Sequence, residues 1–146
     1  MKKFFIYIII GMGLLLSACD MESSDNGNLD GFWQMTSKTD KYAKCGAVDM
    51  RDSGITWSFQ GKLLELRDVN NRQKDIIMNF EHSGAQLRVY NPYYVERDSD
   101  DIRITDPMTL LPYGVSNVDE KYNVVELDGD EMMLESERFL LKFRKY

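Results

Sequence analysis

Cysteine, proline, histidine and positive charge are all scarce in this 146-residue chain, which has two Cys, three Pro, one His and 18 Lys plus Arg against 24 Asp plus Glu. Each shortage removes a class of protein. A formal charge of −6 and a pI near 4.8 argue against a surface that tracks phosphates, because nucleic-acid affinity comes mainly from Lys and Arg neutralising the backbone. No nucleic-acid partner is therefore expected. Few prolines and ten glycines, beside 12% aromatic residues, exclude a fibrous or disordered chain and call for a packed core of one domain's size. A single histidine leaves few routes to acid–base or nucleophilic catalysis.

Long apolar runs are scarce too, and the one present is short for a membrane span. Lys2 and Lys3 precede an apolar stretch from Phe4 to Leu16, interrupted at Tyr7, Gly11 and Gly13, whereas a transmembrane helix needs about 20 apolar residues. The stretch ends in Leu16-Ser17-Ala18-Cys19, small residues that mark a cleavage site. This tetrapeptide resembles the lipobox of bacterial lipoproteins, in which the cysteine receives a diacylglyceryl group and becomes the new N-terminus. The resemblance implies a signal peptide over 1–18, lipidation at Cys19 and a membrane partner reached through the lipid. Removing residues 1–18, with Lys2 and Lys3, takes the net charge from −6 to −8. Residues 20–28 read DMESSDNGN, the composition of a flexible tether, so the domain is expected to span 29–146. Asp20 after the cysteine is similar to an inner-membrane retention signal, and the acidic residues beyond it resemble a surface-export signal. The outer membrane is the expected destination, with the leaflet open.

With Cys19 acylated, Cys45 has no intramolecular partner and is expected to be a small, partly buried hydrophobe.

From Leu29 onward the sequence reads as strands. Residues 31–38, 55–60, 62–68, 74–82, 85–90, 122–127, 131–135 and 138–144 alternate apolar with polar and are rich in β-branched or aromatic types. Asp128-Gly129 is a hairpin signal. One short helix is predicted, with Asp106 as N-cap, Pro107 at the first helical position and Gly114 as its stop. Eight strands in series with mostly short connections predict an all-β fold, an antiparallel up-and-down barrel that closes on itself. Gly31-Phe32-Trp33 in the first strand and Phe143-Arg144-Lys145 in the last are similar to lipocalin signatures. Together with the lipobox, Phe80-Glu81-His82 and Leu111-Pro112-Tyr113-Gly114, they make residues 29–146 resemble the lipocalin-like lipoproteins of Gram-negative gut bacteria. That family implies no assigned activity. True lipocalins carry a helix after the last strand, so their ligand habits transfer only loosely. Structural roles are expected for Gly31, Trp33 and Arg144, with the last strand pairing on the first and Arg144 lying over the Trp33 indole.

In a meander all odd connections share one end. The long connections 39–54 and 91–121 both fall there, together with Tyr42, Cys45, Met50, Tyr93, Tyr94 and Tyr113, while His82 falls at the other end. A Cys45–His82 pair is thus excluded, no Gly-x-Ser-x-Gly elbow exists, and Asp98-Ser99-Asp100-Asp101 lacks the later ligands of a calcium loop. No catalytic residue, metal or cofactor is expected. The period-2 pattern places Trp33, Met35, Ile55, Trp57, Phe59, Leu64, Leu66, Ile76, Met78, Phe80, Leu87, Val89, Val125, Leu127, Met132, Leu134, Phe139, Leu141 and Phe143 inside, a lining without charge. Side chains this bulky can fill an eight-stranded barrel. Two functions stay open. One is a carrier of a small hydrophobic ligand held at the open end by Trp57, Tyr93, Tyr94 and Tyr113. The other is a solid scaffold whose long loops dock another envelope protein.

Overall fold

The structure, a computed structural model, describes residues 26–96 and 98–146. The signal segment, Cys19 and the tether as far as residue 25 lie outside the described residues. The chain starts with a 3-10 turn, Gly27–Leu29, and continues into β1 (Gly31–Asp40). The meander then runs through β3 (Ile55–Gln60), β4 (Leu63–Asp68), β5 (Ile76–Ser83), β6 (Gln86–Tyr94), β8 (Asp119–Leu127), β9 (Glu131–Glu135) and β10 (Phe139–Lys145). Each strand is antiparallel to its neighbour, and β10 returns to pair with β1, so eight strands form a closed barrel. The long connections carry further structure that alternation could not reveal because the pieces are so short. β2 (Ala47–Asp49) folds back on β1, and β7 (Ile102–Arg103) pairs with β6 at Tyr93 and Tyr94.

The strands form where hydrophobic alternation predicts them, because each can bury one face in the lumen. Trp33, Met35, Trp57, Leu64, Leu66, Met78, Leu87, Val89, Leu134 and Leu141 are wholly buried. Aromatic rings fill the axis: Trp57 packs on Phe143 at 5.1 Å and edge-on to Tyr122 at 5.8 Å, and Phe59 meets Phe80 edge-on at 5.0 Å. Each such burial stabilises the fold by about 1.5–3 kcal/mol.

Two bulges change which residues face inward. In β1 the register slips between Met35 and Ser37, so Thr36 is extra and the inward phase passes to Lys38 and Asp40, opposite the buried Leu141 and Phe139. In β8 it slips between Val124 and Glu126. Val125, expected inside, is therefore exposed, while Val124 and Leu127 pack on the core and Tyr122 and Glu120 are buried.

The tight turns, including Gly61, Gly84 and Gly129, share one end of the barrel, here called the base. The long connections share the other.

Candidate functional site

The expected mouth is occupied. Between β7 and β8 a 3-10 helix, Pro107–Tyr113, lies across it, started by the Asp106 carboxylate accepting from the Met108 amide at 2.9 Å. Gly114 ends it in the left-handed region, at φ 80°, where a side chain is disfavoured and a Cβ would stand 2.7 Å from Leu141 Cδ2. The chain can thus turn inward close above Leu141. Leu110, Tyr113 and Val115 are buried without remainder.

The four aromatic residues expected to contact a ligand do not form one site. Trp57 is wholly buried and its indole N–H donates to the Tyr113 carbonyl at 3.0 Å. Tyr113 is also wholly buried, its hydroxyl donating to the Lys74 carbonyl at 2.7 Å. Both are parts of the plug, not an open binding wall. Tyr93 and Tyr94 are consecutive in β6 and so face opposite sides. Tyr94 opposes the buried Ile76 and packs partly on the core beneath the Lys74 ammonium, 5.3 Å from its ring. Tyr93 opposes Ile77 and Arg103 on the outer wall, with the guanidinium 5.7 Å from its ring. Met50 is buried and Tyr42 exposed, its hydroxyl donating to Glu137 at 3.0 Å.

The lumen is not free of charge, which corrects the expectation drawn from β-strand parity. Lys38, half-buried, donates to the carbonyls of Leu111 and Pro112 at 3.3 and 3.4 Å, holding the last turn of the helix. Burial pushes its ammonium below the usual lysine value, partly opposed by Asp40. Arg138 grips Asp40 bidentately and holds that carboxyl below its ordinary range. Glu120 is buried and accepts from the Ser116 hydroxyl at 2.7 Å and from the Ser116 and Asn117 amides. Asp68 is 1% exposed and accepts from the Asn70 amide and the Arg72 guanidinium at 2.9 and 3.1 Å. Burial raises its carboxyl, but these hydrogen bonds outweigh burial and hold it below the usual value. Tyr122, its hydroxyl donating to the Gly114 carbonyl at 2.8 Å, is pushed far above the ordinary tyrosine range by burial. Asp68 lies two residues beyond Leu66 in the same phase, so sequence periodicity could have found it. Lys38 lies beyond a bulge and carried no such signal.

At the base, β1 and β10 pair as expected but the predicted capping residue is displaced by one position. Phe139, Leu141 and Phe143 point inward, so Lys145 does too and Arg144 does not. The Lys145 ammonium stands 4.9 Å from the Trp33 ring and donates to the Asn28 carbonyl at 2.8 Å, while Arg144 donates to Gln34 Oε1 at 2.8 Å. Gly31, at φ 114°, leaves room for that lysine, whose Cε would be 3.2 Å from a Cβ there. The Trp33 indole donates to the Leu29 carbonyl at 2.8 Å. His82, half-buried, opposes Leu87 within β5 at the base, away from the long connections as expected. Cys45 is exposed at the other end, not partly buried.

Three clefts of ≈ 540, ≈ 510 and ≈ 490 Å³ indent the outer wall. The first lies where β6 and β8 diverge, lined by Tyr90, Pro92, Arg103, Ile104 and Val118 among others.

A barrel with this closure and this Gly-x-Trp start can be set beside known families. The profile described as a lipocalin-like domain matches residues 14–146. The chain belongs to that family. The lipocalin-like domain also superposes on a solved lipocalin-like protein from Bacteroides uniformis, with a TM-score of 0.59, 18% identity, and coverage of 82% of this chain and 100% of that one. A solved uncharacterized protein from Bacteroides eggerthii gives a TM-score of 0.54 at 16% identity, covering 81% and 99%. At these identities the likeness concerns the fold. No match is found among curated proteins.

Proposed function

We propose that this lipocalin-like domain is a non-catalytic, lipid-anchored component of the cell envelope that works from its outer surface, docking another envelope protein through the long connections. The anchor is a diacylglyceryl group on Cys19 and the destination is the outer membrane. The observation that carries the reading is the use of the polar tips of Trp57, Tyr122 and Lys38 on the main chain of residues 111–114. A carrier would keep such groups, and the space they span, for its ligand. The same connection that plugs the lumen presents Met108, 65% exposed, and Ile102, 53% exposed, to a partner.

The docking claim is tested by placing a photo-crosslinking amino acid at position 108 in living cells, with position 125 on the lower half of β8 as the control. A discrete protein adduct from 108 and none from 125 is expected. Equal labelling, or no adduct from 108, sinks the claim. The anchor is tested separately: the native N-terminus should carry the acyl mass on Cys19, and Cys19→Ser should move the protein to the soluble fraction.

A further inference from the structure

We propose that the base of the barrel rests on the lipid bilayer, with Phe32, Leu63 and Tyr146 in the interface, so that the plugged end faces away from the membrane. This rests on the reading that Cys19 carries the anchor.

The chain is fastened to the base where it enters the fold. The Asn26 side-chain amide donates to the Gly61 carbonyl and to Asp30 Oδ1, both at 2.8 Å. Two residues on, the Asn28 carbonyl accepts from Lys145 and Leu29 is wholly buried. From Cys19 to Asn26 the chain advances by seven residues, a reach of about 25 Å at most. The ten residues of β1, rising about 3.3 Å each and tilted by about 40°, span a height of about 25 Å. Reaching the bilayer from the plugged end would use the whole tether. From the base it has slack.

Suitable side chains stand where the tether leaves. The Tyr146 amide donates to the Phe32 carbonyl at 3.0 Å, which sets the two residues side by side on the outer wall, 75% and 58% exposed. Leu63, 47% exposed, follows the turn whose Gly61 holds Asn26. Aromatic side chains with one polar tip favour the headgroup level of a bilayer. Exposed apolar residues stand at the plugged end too, so the tether's reach, not apolarity alone, assigns the base to lipid. Asp30, Asp128, Asp130 and Glu131 lie at or near the base together with Lys62, Arg144 and Lys145. With charges of both signs there, the contact is carried by the apolar side chains and should hold on neutral lipid.

The acylated full chain, its mass verified, is reconstituted in phosphatidylcholine vesicles whose acyl chains carry bromine as a fluorescence quencher. One sample bears a fluorophore on Cys45 and another on Leu63→Cys in a Cys45→Ser background. The label at 63 should be quenched several-fold more than the label at 45, and Phe32→Ser with Tyr146→Ser should reduce that difference. Equal quenching, stronger quenching at Cys45, or none at either position in an acylated protein overturns the orientation while leaving the anchor standing. A mass without the diacylglyceryl group overturns the anchor and the orientation with it.

Discussion

At the base, a three-residue turn lowers one leucine, Leu29, onto the rings inside, and Trp33 and Lys145 hold that turn by its carbonyls. At the other end a seven-residue helix lays Leu110 and Tyr113 into the lumen and is held by an indole, a phenol and an ammonium that reach up from the barrel wall. The inward charges Lys38, Asp40, Asp68 and Glu120 also gather at or near that end, whereas Lys145 is the base's own. The contrast teaches where an eight-stranded barrel spends its polar groups. The small cap is one leucine held through its main chain by two side chains, and the large cap is a piece of core held through its main chain by three.

The two caps differ most in what they lose when the largest side chain of each is removed. Tyr113→Ala deletes a wholly buried ring and its hydrogen bond, and should cost about 4 kcal/mol in denaturant unfolding. Leu29→Ala should cost less, about 3 kcal/mol. If Leu29 proves the costlier, the plugged end is not part of the core. Gly114→Ala adds to this without removing any core side chain. An alanine there takes a left-handed backbone and meets Leu141, so a loss of about 2 kcal/mol is expected, visible as a fall in Tm.

Acid should act on the plugged end through Asp68. Asp68 has a folded pKa below its unfolded value, so its contribution is complete above about pH 4 and disappears as pH falls through the folded value. At pH 7 Asp68→Asn should therefore be less stable than the parent by about 2 kcal/mol, and the gap should close below about pH 4. A gap that stays constant down to acid unfolding would mean the carboxylate is unpaired. The smallest effect belongs to the base. Lys145→Gln should cost about 0.5–1 kcal/mol through the lost contact with Trp33, and Arg144→Gln should leave that indole's emission unchanged.

Most of the barrel was legible because its strands obey one rule, that side chains alternate. Trp33, Trp57, Leu64, Met78 and Leu141 could be placed inside from spacing alone. The rule fails where a residue is inserted, and Thr36 and the β8 bulge each moved the phase without any compositional mark. The same one-residue parity separates Lys145, over the indole, from Arg144, which the sequence had offered for that place. The candidate site was legible in position but not in state. Asp106, Pro107 and Gly114 announced the helix, and nothing local said that it would sit in the mouth, because that depends on Trp57 and Tyr122 meeting its carbonyls from 56 and 8 residues away.

A lumen filled by its own side chains and by the Pro107–Tyr113 helix can be probed through the fluorescence of Trp57 alone, in a Trp33→Phe variant titrated with long-chain fatty acids and other small apolar compounds. A filled lumen should leave the Trp57 emission shielded from acrylamide and unchanged by every compound. A saturable shift or quench of Trp57, abolished by Tyr113→Ala or by crosslinking the helix shut, would contradict it and restore the carrier.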